Sequence, residues 1–467
     1  MNRALLIACV LAMGACTLGP DYERPALNLP VEFGESEVGK AETLAANWWT
    51  LYRDPILDEL IAGGLERNAD IRAAVARIDE AEAFLRETNA SLYPQIDLDA
   101  AAERSKVSTR GSTPTSGNIP NPRNNFQLTA ATSFELDVWG RLRRATESAR
   151  AQFMASQYSH DTVALTLASA IAQTYFAVRS LDAQILVSVE TLAATTDSLD
   201  IVRKRAKGGL VSDLDLNQAE TAQAAASAQY KELQRQRAVV LHQLGALSGK
   251  LDLKLEPGDI RSLPLPPLPP AGLPSALLER RPDVRQAEAQ LIAANAEIGF
   301  ARAAQFPTFF LTGSFGNQSR ELSDLFTSGA NIWSIGLGVV GPILDFGRYE
   351  ARTEQAEARQ RQALANYQGV AETAFRETAD ALSNVQWTAA SEQDLQTRVD
   401  RVRNSLRLAN LRYRTGYSAY LEVLDAQRTL NEAQLDLLRN RQAYLNYSVD
   451  LMKALGGGWR DPELASR

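Results

Sequence analysis

Four stretches of this chain alternate apolar and polar residues with a period of two. In 95–103, Ile96, Leu98, Ala100 and Ala102 share one face, and Gln95, Asp97, Asp99 and Glu103 share the other. In 126–136, Phe126, Leu128, Ala130, Phe134 and Leu136 oppose Gln127, Thr129, Ser133 and Glu135. Further on, Phe309, Leu311 and Phe315 oppose Thr308, Thr312 and Ser314. Finally, Trp333, Ile335, Leu337 and Val339 oppose Ser334, Gly336 and Gly338. The pattern predicts four strands, each with one apolar face. Polar loops at 104–125 and 317–331 separate the members of each pair.

The rest is patterned for helices. Residues 141–207 contain no proline and no glycine, and 348–415 contain only Gly369. Each stretch predicts a helix of roughly 100 Å at 1.5 Å per residue. A returning helix of about 40 residues follows Gly208-Gly209 in one case and Gly416 in the other, with Gly209 and Gly416 suited to the left-handed position that ends a helix. Apolar residues near the second turn fall at alternating spacings of three and four: Leu395, Val399, Val402, Leu406, Ala409, Tyr413. On the return, Leu421, Leu424, Leu435, Leu438, Leu445, Val449 and Met452 keep that frame, with Arg428, Asn431 and Gln442 as polar members. This is coiled-coil patterning. The 71 alanines allow close backbone approach. A narrow apolar seam leaves the remaining helix surfaces wet.

The elements recur. Glu66-Arg67-Asn68-Ala69-Asp70-Ile71-Arg72 returns as Glu279-Arg280-Arg281-Pro282-Asp283-Val284-Arg285 at an offset of 213, which also carries Tyr93-Pro94 onto Phe306-Pro307. Leu136-Asp137-Val138-Trp139-Gly140-Arg141 returns as Leu344-Asp345-Phe346-Gly347-Arg348. From there the offset is 207, pairing Ser198 with Ser405, Gly209 with Gly416, Leu214 with Leu421 and Ala219 with Ala426. Each half reads helix, two strands, long helix, turn, long helix. The first helix of each half should stop just before Pro94 or Pro307. A proline-rich stretch (257–274) joins the halves and predicts an extended linker.

Composition narrows the chemistry. A net charge of −7 and a pI near 5.3 disfavour nucleic acid, whose phosphates want a basic face. Two Cys and two His nearly exclude a zinc cluster. His160 and His242 have no nucleophile or carboxylate constellation nearby in sequence, so no catalytic residue, cofactor or metal is expected. Gly336-Leu337-Gly338-Val339-Val340-Gly341 matches a dinucleotide-binding glycine pattern, but its glycines lie in a strand pattern followed by Pro342. Small inward residues in a pore wall explain them better.

At the N-terminus, Arg3 precedes a short apolar run (4–12) and the small residues Gly14-Ala15, an export signal too short to span a bilayer. Met13-Gly14-Ala15-Cys16 resembles the bacterial lipobox, with Met13 in place of the usual Leu. That resemblance implies cleavage before Cys16 and a covalent lipid on it. Thr17, where Asp would signal inner-membrane retention, favours outer-membrane sorting. The alternative is an ordinary cleaved signal with an incidental cysteine.

Four strands cannot close a membrane barrel, since the smallest have about eight. Open sheet edges are not tolerated in lipid. Several copies must therefore pool their strands, giving an apolar outer wall around a polar lumen. The alternative is a soluble β-subdomain beside a coiled coil.

With these features the chain resembles the outer-membrane factors of the TolC/OprM/NodT type, lipoprotein subgroup. The match covers essentially the whole mature chain. It rests on Cys16-Thr17-Leu18-Gly19-Pro20-Asp21-Tyr22 followed by Pro25, on Trp48-Trp49, on Asp54-Pro55-Ile56-Leu57-Asp58, and on Glu279-Arg280-Arg281-Pro282-Asp283-Val284. The resemblance implies a mainly α protein with a membrane β-barrel part: a homotrimer whose 12-stranded β-barrel continues into a periplasmic α-helical coiled-coil barrel. It implies a signal peptide at 1–15, a lipid-anchored arm at 16–54, a first repeat at 55–255, a linker at 256–274, a second repeat at 275–456 and a tail at 457–467. It also implies an outer-membrane site in a Gram-negative bacterium and two partners, a periplasmic adaptor and an inner-membrane pump of the resistance-nodulation-division class. The role implied is that of a passive exit duct.

The segment 413–427 resembles the family's periplasmic tip, where carboxylates line the constricted end of the tunnel. Glu422 and Asp425 lie three apart and share a helix face. Three copies would place six carboxylates around one axis, attracting cations and repelling one another as the aperture tightens. Tyr413 matches a tyrosine that bonds across the tips. Ser418 stands where some members carry an arginine tether, so the latch here is expected to be weaker or built differently. The alternative is a solvated helix face with no gating role. Gly208, Gly209, Leu210, Gly416 and Tyr417 form the two turns, and exposed Leu210 and Tyr417 are candidates for adaptor contact. Rival functions are the duct of a type I protein-secretion system and a lipid-anchored coiled-coil scaffold without a pore.

Overall fold

A computed structural model of the chain describes residues 17–27, 30, 33, 45–108, 110–111, 120–267 and 277–459. Cys16, the signal peptide, part of the linker and residues 460–467 of the C-terminal tail lie outside the described residues. In chain order the elements are α1 (Pro55–Arg67), α2 (Ala69–Ala90), β1 (Ile96–Ser105), β2 (Arg123–Leu136), α3 (Arg141–Lys207), α4 (Asp213–Leu247), α5 (Leu277–Arg280), α6 (Pro282–Ala303), β3 (Thr308–Ser319), β4 (Asn331–Val340), α7 (Arg348–Arg414) and α8 (Tyr420–Ala454). The duplication is visible in the lengths. Helices α2 and α6 both have 22 residues, α3 and α7 both 67, and α4 and α8 both 35.

The opening helix of each half, expected as one piece, is broken in both. Asn68 leaves the helical region at ψ 140 and its side chain accepts from the Asp70 amide, restarting the helix. Arg281 marks the corresponding break before Pro282, whose ring suits a first helical position. The returning helices are also shorter than expected, because Ser248 and Leu455 end them.

The chain divides into two compact units. One comprises Met1–Ala26, Ile78–Ser156 and Ala287–Tyr367; the other comprises Leu27–Arg77, Gln157–Gln286 and Gln368–Arg467.

The first unit holds an antiparallel sheet in the order β1-β2-β3-β4. The pairing places Leu98 opposite Ala130, Ala130 opposite Phe315 and Phe315 opposite Trp333, so one face is apolar across all four strands. That face is bare: Ile96, Leu98, Phe315, Trp333, Ile335 and Leu337 are each more than 60% exposed. The other face carries Asp97, Asp99, Gln127, Thr129, Ser314 and Ser334, with Ser314 and Ser334 hydrogen-bonded at 2.7 Å. Gly336 and Gly338 lie within β4 on this polar face, as a strand rather than a nucleotide loop.

The same unit secures the segment after Cys16. The Leu18 amide donates to the Trp139 carbonyl at 3.1 Å. Arg144 donates to the Leu18 carbonyl at 3.2 Å and to Asp21 at 2.7 Å, and Asn295 donates to the Pro20 carbonyl at 2.9 Å. Gly19, at φ +96, crosses so near Gly299 that a Cβ on either would overlap the other's backbone or its neighbour's. Arg24 closes the strap with a two-pronged bond to the buried carboxylate of Glu288 at 2.6 and 2.8 Å.

The second unit contains the main core. Trp48, Tyr52, Leu57 and Ile61 pack among Ile171, Tyr175 and Phe176 of α3, Leu244 of α4 and Leu445, Val449 and Met452 of α8. Ile260, inside the proline-rich stretch expected to be extended, is fully buried in this core through a short 3₁₀ turn (Ile260–Ser262). Asp182, nearly fully buried on α3, accepts from Arg237 of α4 and from the Gly258 amide, and Arg179 donates to the Glu256 carbonyl at 2.7 Å. The start of the linker is therefore bolted down by a buried, fully partnered ion network. Near the turns the seam is displaced from the expected frame. Leu421 is 59% exposed, as is its repeat mate Leu214 at 66%, while Val423 and Gln427 face inward. No described helix is long and apolar enough to cross a membrane.

Candidate functional site

The two helix–helix turns lie in the second unit, and each ends its long helix in the same way. Gly209 takes φ +71 and Gly416 takes φ +83. The amides that follow reach back, Leu210 to the Arg205 carbonyl at 2.9 Å and Tyr417 to the Arg412 carbonyl at 2.8 Å. Both are Schellman ends that only glycine enters without strain. Leu210 and Tyr417 project from them, 76% and 81% exposed.

Their second halves differ. Ser212 caps α4 through the Asp215 amide while Asp215 returns a bond to the Ser212 amide, a complete capping box. Ala419 begins α8 with no side-chain cap. The hairpin of α7 and α8 draws support from the other hairpin instead. The Arg205 guanidinium lies 4.6 Å from the centre of the Tyr413 ring and donates to the Tyr413 and Arg414 carbonyls, each at 3.4 Å. It thereby meets the electronegative end of α7. Tyr413 stacks obliquely on Tyr420 at 5.3 Å, over a small core of Leu199, Val202, Ala219 and Val423.

The Tyr413 hydroxyl and the Ser418 hydroxyl are buried without a hydrogen-bond partner among the described residues. Within this chain Tyr413 is held by its ring and its carbonyl.

Glu422 and Asp425 are both exposed in the first turns of α8. Neither is free: Arg412 lies 3.3 Å from Glu422, and Arg428 lies 3.0 Å from Asp425. Such exposed pairs contribute little stability. They do change the charge around the tip, which alternates in sign instead of being purely negative. Sequence reasoning missed Arg205, Arg412 and Arg428 as partners. The run Lys204, Arg205, Lys207 in the last turn of α3 was the available signal, since cations collect at helix C-termini.

Between these carboxylates and α4 runs a cavity of about 640 Å³, lined by Thr191, Asn217, Ala222, Gln229, Leu424 and Asp425 among others. Asn431 spans part of its wall, accepting from Thr191 at 3.2 Å and donating to Gln229 at 3.3 Å. Its walls combine alanine and leucine with threonine and amide side chains. Among the described residues no group of carboxylates, histidines and cysteines is placed to hold a metal.

A sheet apolar on one face with two open edges, joined in one chain to paired helices of roughly 100 Å, defines a membrane-channel subunit. The sequence profile described as outer membrane efflux protein matches residues 60–250 and 273–457, and the chain belongs to that family. It is 34% identical over 466 residues to the solvent efflux pump outer membrane protein SrpC of Pseudomonas putida, covering 98% of each chain. It is likewise 34% identical to the cation efflux system protein CusC of Escherichia coli, covering 98% of this chain and 99% of that protein. Among solved structures it superposes on the Campylobacter jejuni CmeC outer membrane channel with a TM-score of 0.89 at 26% identity, over 96% of each chain. The protein is thus an outer-membrane efflux channel of a Gram-negative bacterium with the TolC-like channel fold, and its relatives are channels rather than enzymes.

Proposed function

We propose that this chain is the passive exit duct of a tripartite efflux pump, assembled as a homotrimer. In this reading its four strands are one third of a 12-stranded barrel. Its helices form a periplasmic tunnel that docks onto an adaptor served by an inner-membrane pump of the resistance-nodulation-division class. The observation that carries the reading is the sheet: one face apolar and bare, the other polar, both edges unpaired. Such a sheet is stable in lipid only when closed by further strands, and closing it places the polar face around a lumen. The relatives named above are efflux components, which favours efflux over protein secretion. In this reading the energy comes from the pump.

Cys16 carries the lipid in this reading, and the strap from Leu18 to Arg24 fixes the anchor against the first unit. Glu422, Asp425 and Tyr413 form the periplasmic aperture. Gly208, Gly209, Leu210, Gly416 and Tyr417 are the adaptor-facing tips.

Native mass in mild detergent, followed by planar-bilayer recording, tests the proposal. The expected result is a trimer that forms a pore. A stable monomer, or a trimer without conductance, contradicts it and favours the poreless scaffold. Mass spectrometry of the mature N-terminus tests the anchor, and an unmodified peptide beginning elsewhere than Cys16 refutes it.

A further inference from the structure

The apolar face of the sheet is not the same at its two ends. It comprises every second residue from Ile96 to Arg104, from Asn124 to Leu136, from Phe309 to Ser319 and from Asn331 to Val339. The strand carboxylates Asp97, Asp99, Glu103 and Glu135 all fall on the opposite face, as does Arg123. Among the described residues Arg104 is the one charge on the apolar face, in its last row and opposite Asn124. On the second hairpin the same end turns to amides, with Asn317 facing Asn331 one row beyond the rings of Phe315 and Trp333. At the other end Leu136 faces Phe309 and Phe309 faces Val339, with no polar side chain in the row.

The amide-and-cation end is the end of the two hairpin loops, since α3 follows β2 and α7 follows β4 at the other. It stays basic beyond the strands. In 103–125 and 318–331, Arg104, Lys106, Arg110, Arg123 and Arg320 stand against Glu103, Glu321 and Asp324, in a chain whose net charge is −7. All five cations are exposed, and none is held in an ion pair among the described residues. The base of the first loop is tied. The Asn121 side chain accepts from the Val107 amide at 2.9 Å and donates to the Val107 carbonyl at 2.7 Å, which keeps Lys106 beside the strand end. In the second loop Leu325 is buried, while Leu322 and Phe326, close in sequence to Arg320, are 65% and 75% exposed. Uncovered apolar groups among unpaired cations suit the boundary between acyl chains and anionic headgroups.

We infer that this rim binds the phosphorylated glycolipid of the outer leaflet, with Arg104, Lys106 and Arg320 on its phosphates and Asn124, Asn317 and Asn331 on its sugar hydroxyls. This rests on the duct reading above, which turns the apolar face to lipid, and adds which lipid that face selects. In that reading the helices reach into the periplasm, so the loop end faces outward. There the leaflet of a Gram-negative outer membrane presents phosphorylated sugars. An arginine on the lipid face is costly at the bilayer midplane and nearly free at the interface, which is where the last row places Arg104. Its planar fork matches a phosphate in two hydrogen bonds, and both partners gain by shedding water at the membrane surface. Arg123 is the internal contrast: next to Asn124 along β2, it lies on the polar face and has no lipid to meet.

Lipid titration of the full-length oligomer in mild detergent, read by native mass spectrometry, tests the inference. Three probes are used: bis-phosphorylated lipid A, the same lipid dephosphorylated, and phosphatidylglycerol. The wild type should hold the first more tightly than the other two. Arg104→Gln should weaken binding of bis-phosphorylated lipid A about fivefold, and adding Arg320→Gln should weaken it further. Arg123→Gln should leave that affinity unchanged and shift ion selectivity in planar bilayers instead. Raised salt, which needs no variant, should release the phosphorylated lipid from the wild type and spare the dephosphorylated one. Equal retention of the dephosphorylated form would mean that acyl chains do the binding, and overturns the inference. Phosphatidylglycerol bound as tightly as lipid A overturns it too, leaving a general anionic-lipid contact. So does a loss from Arg123→Gln that matches the loss from Arg104→Gln. In each of these cases a trimeric pore leaves the duct reading standing; a monomeric or poreless protein removes both.

Discussion

The two hairpin turns share a glycine, a Schellman end and an exposed apolar tip, yet they are held by different means. The turn at Gly209 is self-sufficient, because the Ser212–Asp215 capping box closes its returning helix from within. The turn at Gly416 has no cap on its returning helix and leans on Arg205, which belongs to the other hairpin. A local cap survives any displacement of the hairpin as a whole. A bond to a neighbour is lost as soon as the hairpin swings. The lesson is that the first turn is stabilised within its own hairpin, whereas displacing one hairpin against the other would cost the second turn its support from Arg205.

The largest effect is expected from the carboxylates beside the Gly416 turn. Glu422→Ala with Asp425→Ala takes away the partner of Arg412 and leaves Arg428 only its longer contact with Glu432, at 3.7 Å. Single-channel conductance should rise and cation preference should fall, or reverse to anion preference. If the double variant conducts like wild type with the same ion selectivity, the residues are a solvated surface and the gate is elsewhere.

Next in size is Arg205→Ala. It removes two long hydrogen bonds and a ring contact, together about 1–2 kcal/mol. Hydrogen exchange should accelerate at 408–424 far more than at 203–217, with a rise in conductance. Equal acceleration at both turns would erase the distinction drawn here.

Ser212→Ala is the converse probe. Loss of a cap costs about 1 kcal/mol and should loosen α4 locally without changing conductance. Asp213→Ala with Asp215→Ala should behave similarly, since Asp215 is half of the same box. A change in ion selectivity from either would show that the first turn lines the aperture.

The smallest expected effect lies at the far end of α8. Burial among its neighbours raises the Asp450 carboxyl above its usual range, outweighing the 2.7 Å bond it accepts from Gln173. A carboxyl with a raised folded-state pKa stabilises the fold below its unfolded pKa and loses that contribution as pH rises through the raised value. Asp450→Asn should therefore add less than about 1 kcal/mol at neutral pH and nothing in acid. A thermal-melt difference that grew on acidification would reverse this assignment.

Much of the fold was legible because it is periodic. Alternation over Phe126–Leu136 and the glycine-free run from Arg141 to Lys207 admit one reading each, and the duplication repeated both. The break at Asn68 was not legible, whereas the one at Arg281 was signalled by Pro282, which disfavours helix in the residue before it. Asn68 continues a helical pattern in composition, and only its cap on Asp70 reveals the restart. Ile260 was read as part of an extended linker because prolines dominate its surroundings, whereas its burial depends on a core assembled from four distant segments. At the tips, the glycines were legible from backbone requirements alone. The partners of Glu422 and Asp425 were not: Arg428 is three residues from Asp425, but Arg412 reaches Glu422 only once the turn has formed.

The strap after Cys16 imposes an order of events. Its anchorage is split between Arg144 of the first repeat and Gly299, Asn295 and Glu288 of the second. These last three are translated more than 260 residues after the segment they hold. The opening residues of the mature protein therefore have no complete seat until the second repeat has been made, exported and folded. Synthesis runs from the first end to the last; this part of the assembly must wait and run backwards, with the earliest segment among the last to settle.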